Sequence, residues 1–232
     1  MKSPIGRAFV AILVLAMSTM MMPAGASQPL QDEDLDQRVR EFLEQNRRAW
    51  RDMNVPAVDG QMLYDLIVEN NYTRALEIGT STGHSGIWIA WALSKTGGKL
   101  ITLEIDERRY REAVANFEEA GLAEYIDARL ADAHDLVPQL EGPFDFVFSD
   151  ADKGWYKNYF LAVLPKLEMG GCFTAHNVRA PSGSGGRGRR GSSGTSEFVQ
   201  ELLATPGLET EFFTSGGGLS VSFKREGGDL SR

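Results

Sequence analysis

The chain has 232 residues, 42% of them hydrophobic and 24% charged, and its 32 acidic against 24 basic side chains give a formal charge of -8. That balance suits one globular domain with a sizeable core and excludes a fibre or a fully disordered chain. An acidic chain is also a poor partner for nucleic acid, and a single cysteine, Cys172, excludes an internal disulfide.

At the start, Lys2 and Arg7 precede the apolar run Ala8 to Met22, which ends in Pro23-Ala24-Gly25-Ala26-Ser27. A charged stretch, an apolar stretch and a small-residue site in that order make a secretory signal. Residues 1–26 are therefore expected to direct export, periplasmic or secreted, with cleavage after Ala26. The apolar run is about 15 residues, short of the roughly 20 that a spanning helix needs, so no stable membrane span is expected after cleavage. A retained anchor is the second reading. Translation from Met17, Met20, Met21 or Met22, which would leave the protein cytoplasmic, is the third. Loss of residues 1–26 moves the charge from -8 to -10, because two bases and no acid go with them.

The remaining chain, 27–232, reads as one domain. Leu35, Val39, Phe42, Leu43 and Trp50 recur at helical spacing and predict an amphipathic helix. After the link Asn54-Val55-Pro56-Ala57, a second helix is predicted from Asp59, as N-cap, to Glu69. Short apolar runs then alternate with helical stretches. Strands are predicted at Arg74–Ile78, Lys99–Glu104, Ile126–Leu130, Phe144–Ser149 and Gly171–Ala175, which implies a largely parallel sheet with helices on both faces. A helix over Glu197–Leu203 and a hairpin of Glu209–Thr214 and Leu219–Lys224 close the chain. Between them, Ala180–Ser196 is rich in Gly, Ser and Arg and predicts a flexible loop. Its arginines, Arg187, Arg189 and Arg190, are expected to be solvated rather than to clamp a substrate.

The first predicted strand runs into LEIGTSTGHSG (76–86), and ligands of open α/β sheets sit at the carboxyl ends of strands. Three chemistries compete for it. Gly79-Thr80-Ser81-Thr82-Gly83 fits the nucleophile elbow G-x-S-x-G, and Ser81, Asp150 and His176 occur in the order of a hydrolase triad. The elbow normally follows several strands, however, and no oxyanion segment precedes it. Gly79, Gly83 and Gly86 lack the G-x-G-x-x-G spacing of a dinucleotide site. In the third reading, Glu77 before the loop faces a cationic aminoacyl group and Glu104, ending the next strand, accepts both ribose hydroxyls, which describes an S-adenosylmethionine site.

Six segments carry a resemblance: MNVPAVDGQ (53–61), LEIGTSTGHS (76–85), LITLEID (100–106), ADAHDLVPQL (131–140), FDFVFSDADKGWY (144–156) and GGCFTAHNV (170–178). In that order the chain resembles the metal-dependent O-methyltransferases related to catechol and caffeoyl-CoA O-methyltransferases. The resemblance implies a Rossmann-like methyltransferase fold, a seven-stranded mostly parallel sheet with a terminal antiparallel hairpin. It implies methyl transfer to a hydroxyl of a small phenolic or catechol-like acceptor, and a homodimer. Val55, Glu77, Gly79, Thr80 and Ser85 would hold the methionine part of S-adenosylmethionine, Glu104 the ribose, and Asp132, Ala133 and His134 the adenine. Asp150 would stand beside the cofactor and bind a divalent metal, with Lys153 as general base. His84 is expected to pack rather than bind.

The family's later Asp-Asn pair reads His176-Asn177 here. With Asp150, these two complete the implied metal site, but imidazole suits Mn or another transition metal better than Mg. The competing reading has no tight metal and makes His176 the base. A degenerate enzyme ranks third. From other classes, the rivals are an exported S-adenosylmethionine-binding module without turnover and, more distantly, a secreted hydrolase using Ser81.

Overall fold

The computed structural model describes residues 28–50, 53–181 and 193–226. The expected signal, residues 1–26, and the arginines of the expected loop lie outside the described residues. The order of elements is α1 (Gln28–Gln45), α2 (Ala57–Asn70), β1 (Arg74–Ile78), α3 (His84–Thr96), β2 (Lys99–Glu104), α4 (Glu107–Glu119), β3 (Ile126–Leu130), α5 (Ala133–Gln139), β4 (Phe144–Ser149), α6 (Tyr156–Val163), β5 (Leu167–His176), α7 (Ser193–Ala204), β6 (Leu208–Phe213) and β7 (Leu219–Lys224).

The strands form one sheet in the order β3-β2-β1-β4-β5-β7-β6. The first five are parallel, and β7 pairs antiparallel with both β5 and β6. β4 reads FDFVFS and is buried along its whole length, as a strand covered on both faces must be. Its residues alternate between two cores. Val147 packs with Leu76, Phe160, Phe173 and Phe198 on one face, while Phe146 and Phe148 pack with Leu63, Ile67, Ile89 and Val221 on the other. Asp145 points out of the far end and accepts the backbone N–H groups of Thr73 (2.6 Å) and Arg74 (2.8 Å), which pins the start of β1 to β4.

A third cluster joins α1 to the body through Val39, Phe42, Trp88, Trp91 and Phe117. Trp91 donates its indole N–H to Asp36 (2.7 Å), and Arg38 donates to the carbonyls of Glu118 and Glu119 at the end of α4, at 2.9 Å each. α1 stops at Gln45, so Trp50 lies beyond the helix that its spacing suggested.

α2 begins two residues before the predicted start. Asp59 is therefore not its N-cap: Pro56 holds that place without a side-chain bond, and Asp59 sits within the first turn, buried. The chain builds β1, β2 and β3 outward in one direction and β4 and β5 in the other. The carboxyl ends of β1 and β4 thus flank the point where the winding reverses, and a crevice opens there.

Candidate active site

A cleft of about 800 Å³ occupies that crevice. Each parallel strand ends on it: Gly79 after β1, Glu104 at the end of β2, Ala131 to His134 after β3, Asp150 to Lys153 after β4, and His176 with Asn177 at the end of β5. Met53, Asn54, Ile105, Arg109, Tyr159 and Gly217 are also among its lining.

Glu104 is fixed before any ligand arrives. Its Oε2 accepts the N–H of Ser81 (2.7 Å), and its Oε1 accepts those of Ile105 (3.1 Å) and Asp106 (2.9 Å). Gly79 has φ of +99°, and a Cβ there would stand 2.9 Å from the backbone of Asp150 and Ala151. Only glycine lets the β1 and β4 loops lie this close. Asp132 caps α5 by accepting the N–H of His134 (2.9 Å), and the His134 ring stacks on Trp155 with centroids 3.8 Å apart.

Four expected cofactor residues lie behind this wall rather than on it. Val55 is buried, and its carbonyl faces His84 Nδ1 at 2.9 Å. Thr80 shares a 2.5 Å hydrogen bond with Thr102, which donates to Glu77 at 2.5 Å. Ser85 is buried and bonds Glu77 as well. Burial pushes the Glu77 carboxyl up to about 8, the hydrogen bonds from Ser85 and Thr102 pull the other way, and the charges of Asp150 and Glu104 add to the rise. One of its oxygens, Oε1, has no partner. His84 packs, as expected: Trp88 donates to its Nε2 (3.2 Å), and burial lowers it to about 4, keeping it neutral.

The floor of the cleft is a row of charged groups. Lys153 donates to Asp150 Oδ1 (2.5 Å) and to the Tyr156 hydroxyl (2.8 Å). His176 Nδ1 faces Asp150 Oδ2 at 3.0 Å, and its Nε2 faces Asp59 Oδ2 at 2.9 Å. Burial alone would lower the His176 imidazole, but the bonds and charges of Asp150 and Asp59 outweigh it and the net shift is upward. Both ring nitrogens are engaged by carboxylates, so neither is open to take a proton from Ser81 or from an acceptor. The hydrolase triad is not assembled, since both His176 nitrogens face aspartates rather than Ser81.

Comparison with known proteins places this geometry. The profile of the O-methyltransferase family matches residues 26–184. The chain belongs to the O-methyltransferase family. Among curated relatives it is 44% identical over 107 residues to a catechol O-methyltransferase of Niastella koreensis, covering 44% of this chain and 48% of that one. It is 34% identical over 137 residues to caffeoyl-CoA O-methyltransferase 1 of Eucalyptus globulus, covering 57% and 55%. The matches thus span about half the length of these curated relatives. Solved structures match more widely. An O-methyltransferase of Bacillus cereus in complex with SAH has a TM-score of 0.69 at 29% identity, covering 82% of this chain and 91% of that one. TomG of Streptomyces achromogenes, in complex with SAM, has a TM-score of 0.69 at 28% identity, covering 82% and 90%.

The cofactor of the family fits the residues present, since Gly79 leaves a backbone cradle beside the anchored Glu104 carboxylate. The family's metal does not fit. His176, which would complete the donor set, has both nitrogens facing carboxylates, and Asp150 already accepts from Lys153. Among the described residues no group of three His, Cys, Asp or Glu is arranged to hold a metal ion.

Sequence reasoning missed Asp59, which lies 117 residues from its partner His176. It also missed Tyr156, whose buried hydroxyl donates to the His176 carbonyl (3.2 Å). Neither carries a local signal. Only the distance in space between α2, α6 and the end of β5 reveals them.

Proposed function

We propose that this chain transfers a methyl group from S-adenosylmethionine to a hydroxyl of a small, phenolic or catechol-like acceptor. The observation that carries the reading is the Glu104 carboxylate, held by three backbone N–H groups across the cleft from the Asp150–Lys153 pair. A carboxylate so anchored presents its remaining lone pairs to paired hydroxyls of a ribose. When bound, the cofactor supplies an electrophilic methyl group on a sulfonium.

The other steps belong to the protein. Gly79 admits the cofactor's methionine end, with Glu77, Thr80 and Ser85 bracing the loop from beneath. Asp132, Ala133 and His134 border the adenine place. Met53, Ile105 and Tyr159 line the cleft with apolar surface that suits an aromatic acceptor. Lys153, beside Asp150, takes the hydroxyl proton as the oxygen attacks. The chemistry of the curated relatives supports the acceptor class.

The test is calorimetric titration of the chain with S-adenosylmethionine, followed by assay on a catechol panel. Saturable binding, weakened by Glu104→Ala, together with a methylated product is expected. No cofactor binding would overturn the reading, and binding without turnover on any acceptor would make the chain a binding module.

Export by residues 1–26 is proposed with it. The N-terminal order of charge, apolar run and small residues supports this, and the N-terminal residue of the protein recovered from its native cell decides it.

A further inference from the structure

His176 stands where the family pattern has an aspartate, and its surroundings are built rather than incidental. The ring is 4% exposed, with Asp150 on one nitrogen and Asp59 on the other. Asp59, 1% exposed, comes from α2, and its Oδ2 also accepts the N–H of Gly217 (2.8 Å) from the turn between β6 and β7. That turn closes the third side. A Cβ on Gly217 would stand 2.3 Å from His176 Nε2, and one on Gly216 would stand 2.0 Å from Asp59 Oδ1. The backbone therefore packs directly on both side chains and closes that side of the ring.

A metal ligand needs a lone pair directed at the ion. Here each ring nitrogen is engaged with a carboxylate oxygen whichever atom carries the proton, so no ring lone pair is left. Asp150 accepts from Lys153 on Oδ1 and faces His176 on Oδ2, so it already meets protein partners on both oxygens, and the lone pairs it keeps are those of a single carboxylate. Asp59 keeps one oxygen, Oδ1, without a hydrogen bond, but it is buried under Gly216 and away from the cleft. The groups that face the carboxylates are therefore side chains of the protein itself.

We propose that Asp59 locks His176 into the family's metal position, so that this centre takes no divalent metal and the methyl transfer proposed above, on which this rests, runs without one. Asp59 is the positioning residue of that arrangement. It holds the ring from the side opposite Asp150, and without it Nε2 would be free to ligate. His176→Asp would restore a third carboxylate beside Asp150 and Asp59, a donor set that suits a hard cation.

The test titrates the full chain with Mn²⁺ by calorimetry and with Co²⁺ by visible absorption, and with S-adenosylmethionine in parallel. Wild type is expected to show no saturable Mn²⁺ or Co²⁺ binding, and its transfer rate should be unchanged by a chelator. H176D should show saturable Mn²⁺ binding at one ion per chain, where wild type shows none. Asp59→Ala should show a Co²⁺ band that His176→Ala, made in the same background, abolishes; a residue that merely supports the fold would create no such band. One Mn²⁺ or Co²⁺ per wild-type chain, lost in H176A, overturns the proposal. So does an H176D variant that binds the cofactor normally and takes no metal. Failure of wild type to bind S-adenosylmethionine overturns the proposed function instead, and the metal titrations still decide this one.

Discussion

Two residues in the site carry opposite kinds of test. Lys153 reaches Asp150 and Tyr156 on the cleft floor. As a proton acceptor it is not replaceable by arginine, which holds its proton at any accessible pH. Lys153→Arg and Lys153→Met should both lower kcat by roughly 10²–10⁴ with cofactor affinity unchanged by calorimetry. An arginine variant that keeps most of its rate would assign Lys153 to charge alone. Glu77 is tested through stability. Its folded value near 8 lies above the ordinary 4.5, so between those values the folded state holds a proton that the unfolded state has released. Its contribution is full below about pH 4.5, declines as pH rises and levels off above about 8, a loss on the order of a few kcal/mol. Glu77→Gln cannot ionise and keeps an acceptor for Thr102. Melting curves from pH 5 to 9 should coincide with wild type at the acid end and lie above it at the alkaline end, by about 2–4 °C per kcal/mol in a chain of this size.

At the scale of elements, the glycine loop joins two strands rather than decorating one. Gly79 rests on the backbone of Asp150 and Ala151, and Asp150 donates its N–H to the carbonyl of Ile78 (2.9 Å). Gly79→Ala must part the two loops and also accept a left-handed φ, which costs about 1–2 kcal/mol by itself. The expected result is a lower melting temperature together with a loss of S-adenosylmethionine affinity of roughly tenfold or more, about 1.4 kcal/mol. Strands were the legible elements: β1, β2, β3, β4 and β7 begin and end where the pattern puts them, and β4, covered on both faces, reads as a nearly unbroken apolar run. Helix starts were less so. Asp59 ahead of an apolar run looks like a cap, and only its bond to His176 from across the fold shows why a carboxylate is buried in the first turn of α2. The same holds for the metal. The spacing of Asp150, His176 and Asn177 suggests a ligand set, but a sequence does not show that another side chain has already occupied the nitrogen.

The whole molecule depends on α1 more than its place at the chain's start suggests. The helix begins at Gln28, just beyond the expected cleavage after Ala26, and its contacts with the body run from Leu35 through Asp36, Arg38, Val39 and Phe42. Cleavage there removes none of these contacts. A chain starting at residue 27 should therefore match the uncut protein in melting temperature and in cofactor affinity. A chain starting at residue 46 should not. It uncovers Trp91 and Phe117 and leaves the carbonyls at the end of α4 without Arg38. The buried side chains of Val39 and Phe42 contribute about 1.5–3 kcal/mol each, a large share of the roughly 5–15 kcal/mol that holds a domain folded. Melting of the two truncations side by side checks this. Equal stability would show that α1 is an appendage, whereas selective loss in the shorter chain would make it the third wall of the core, fixing where processing can occur without unfolding the cleft.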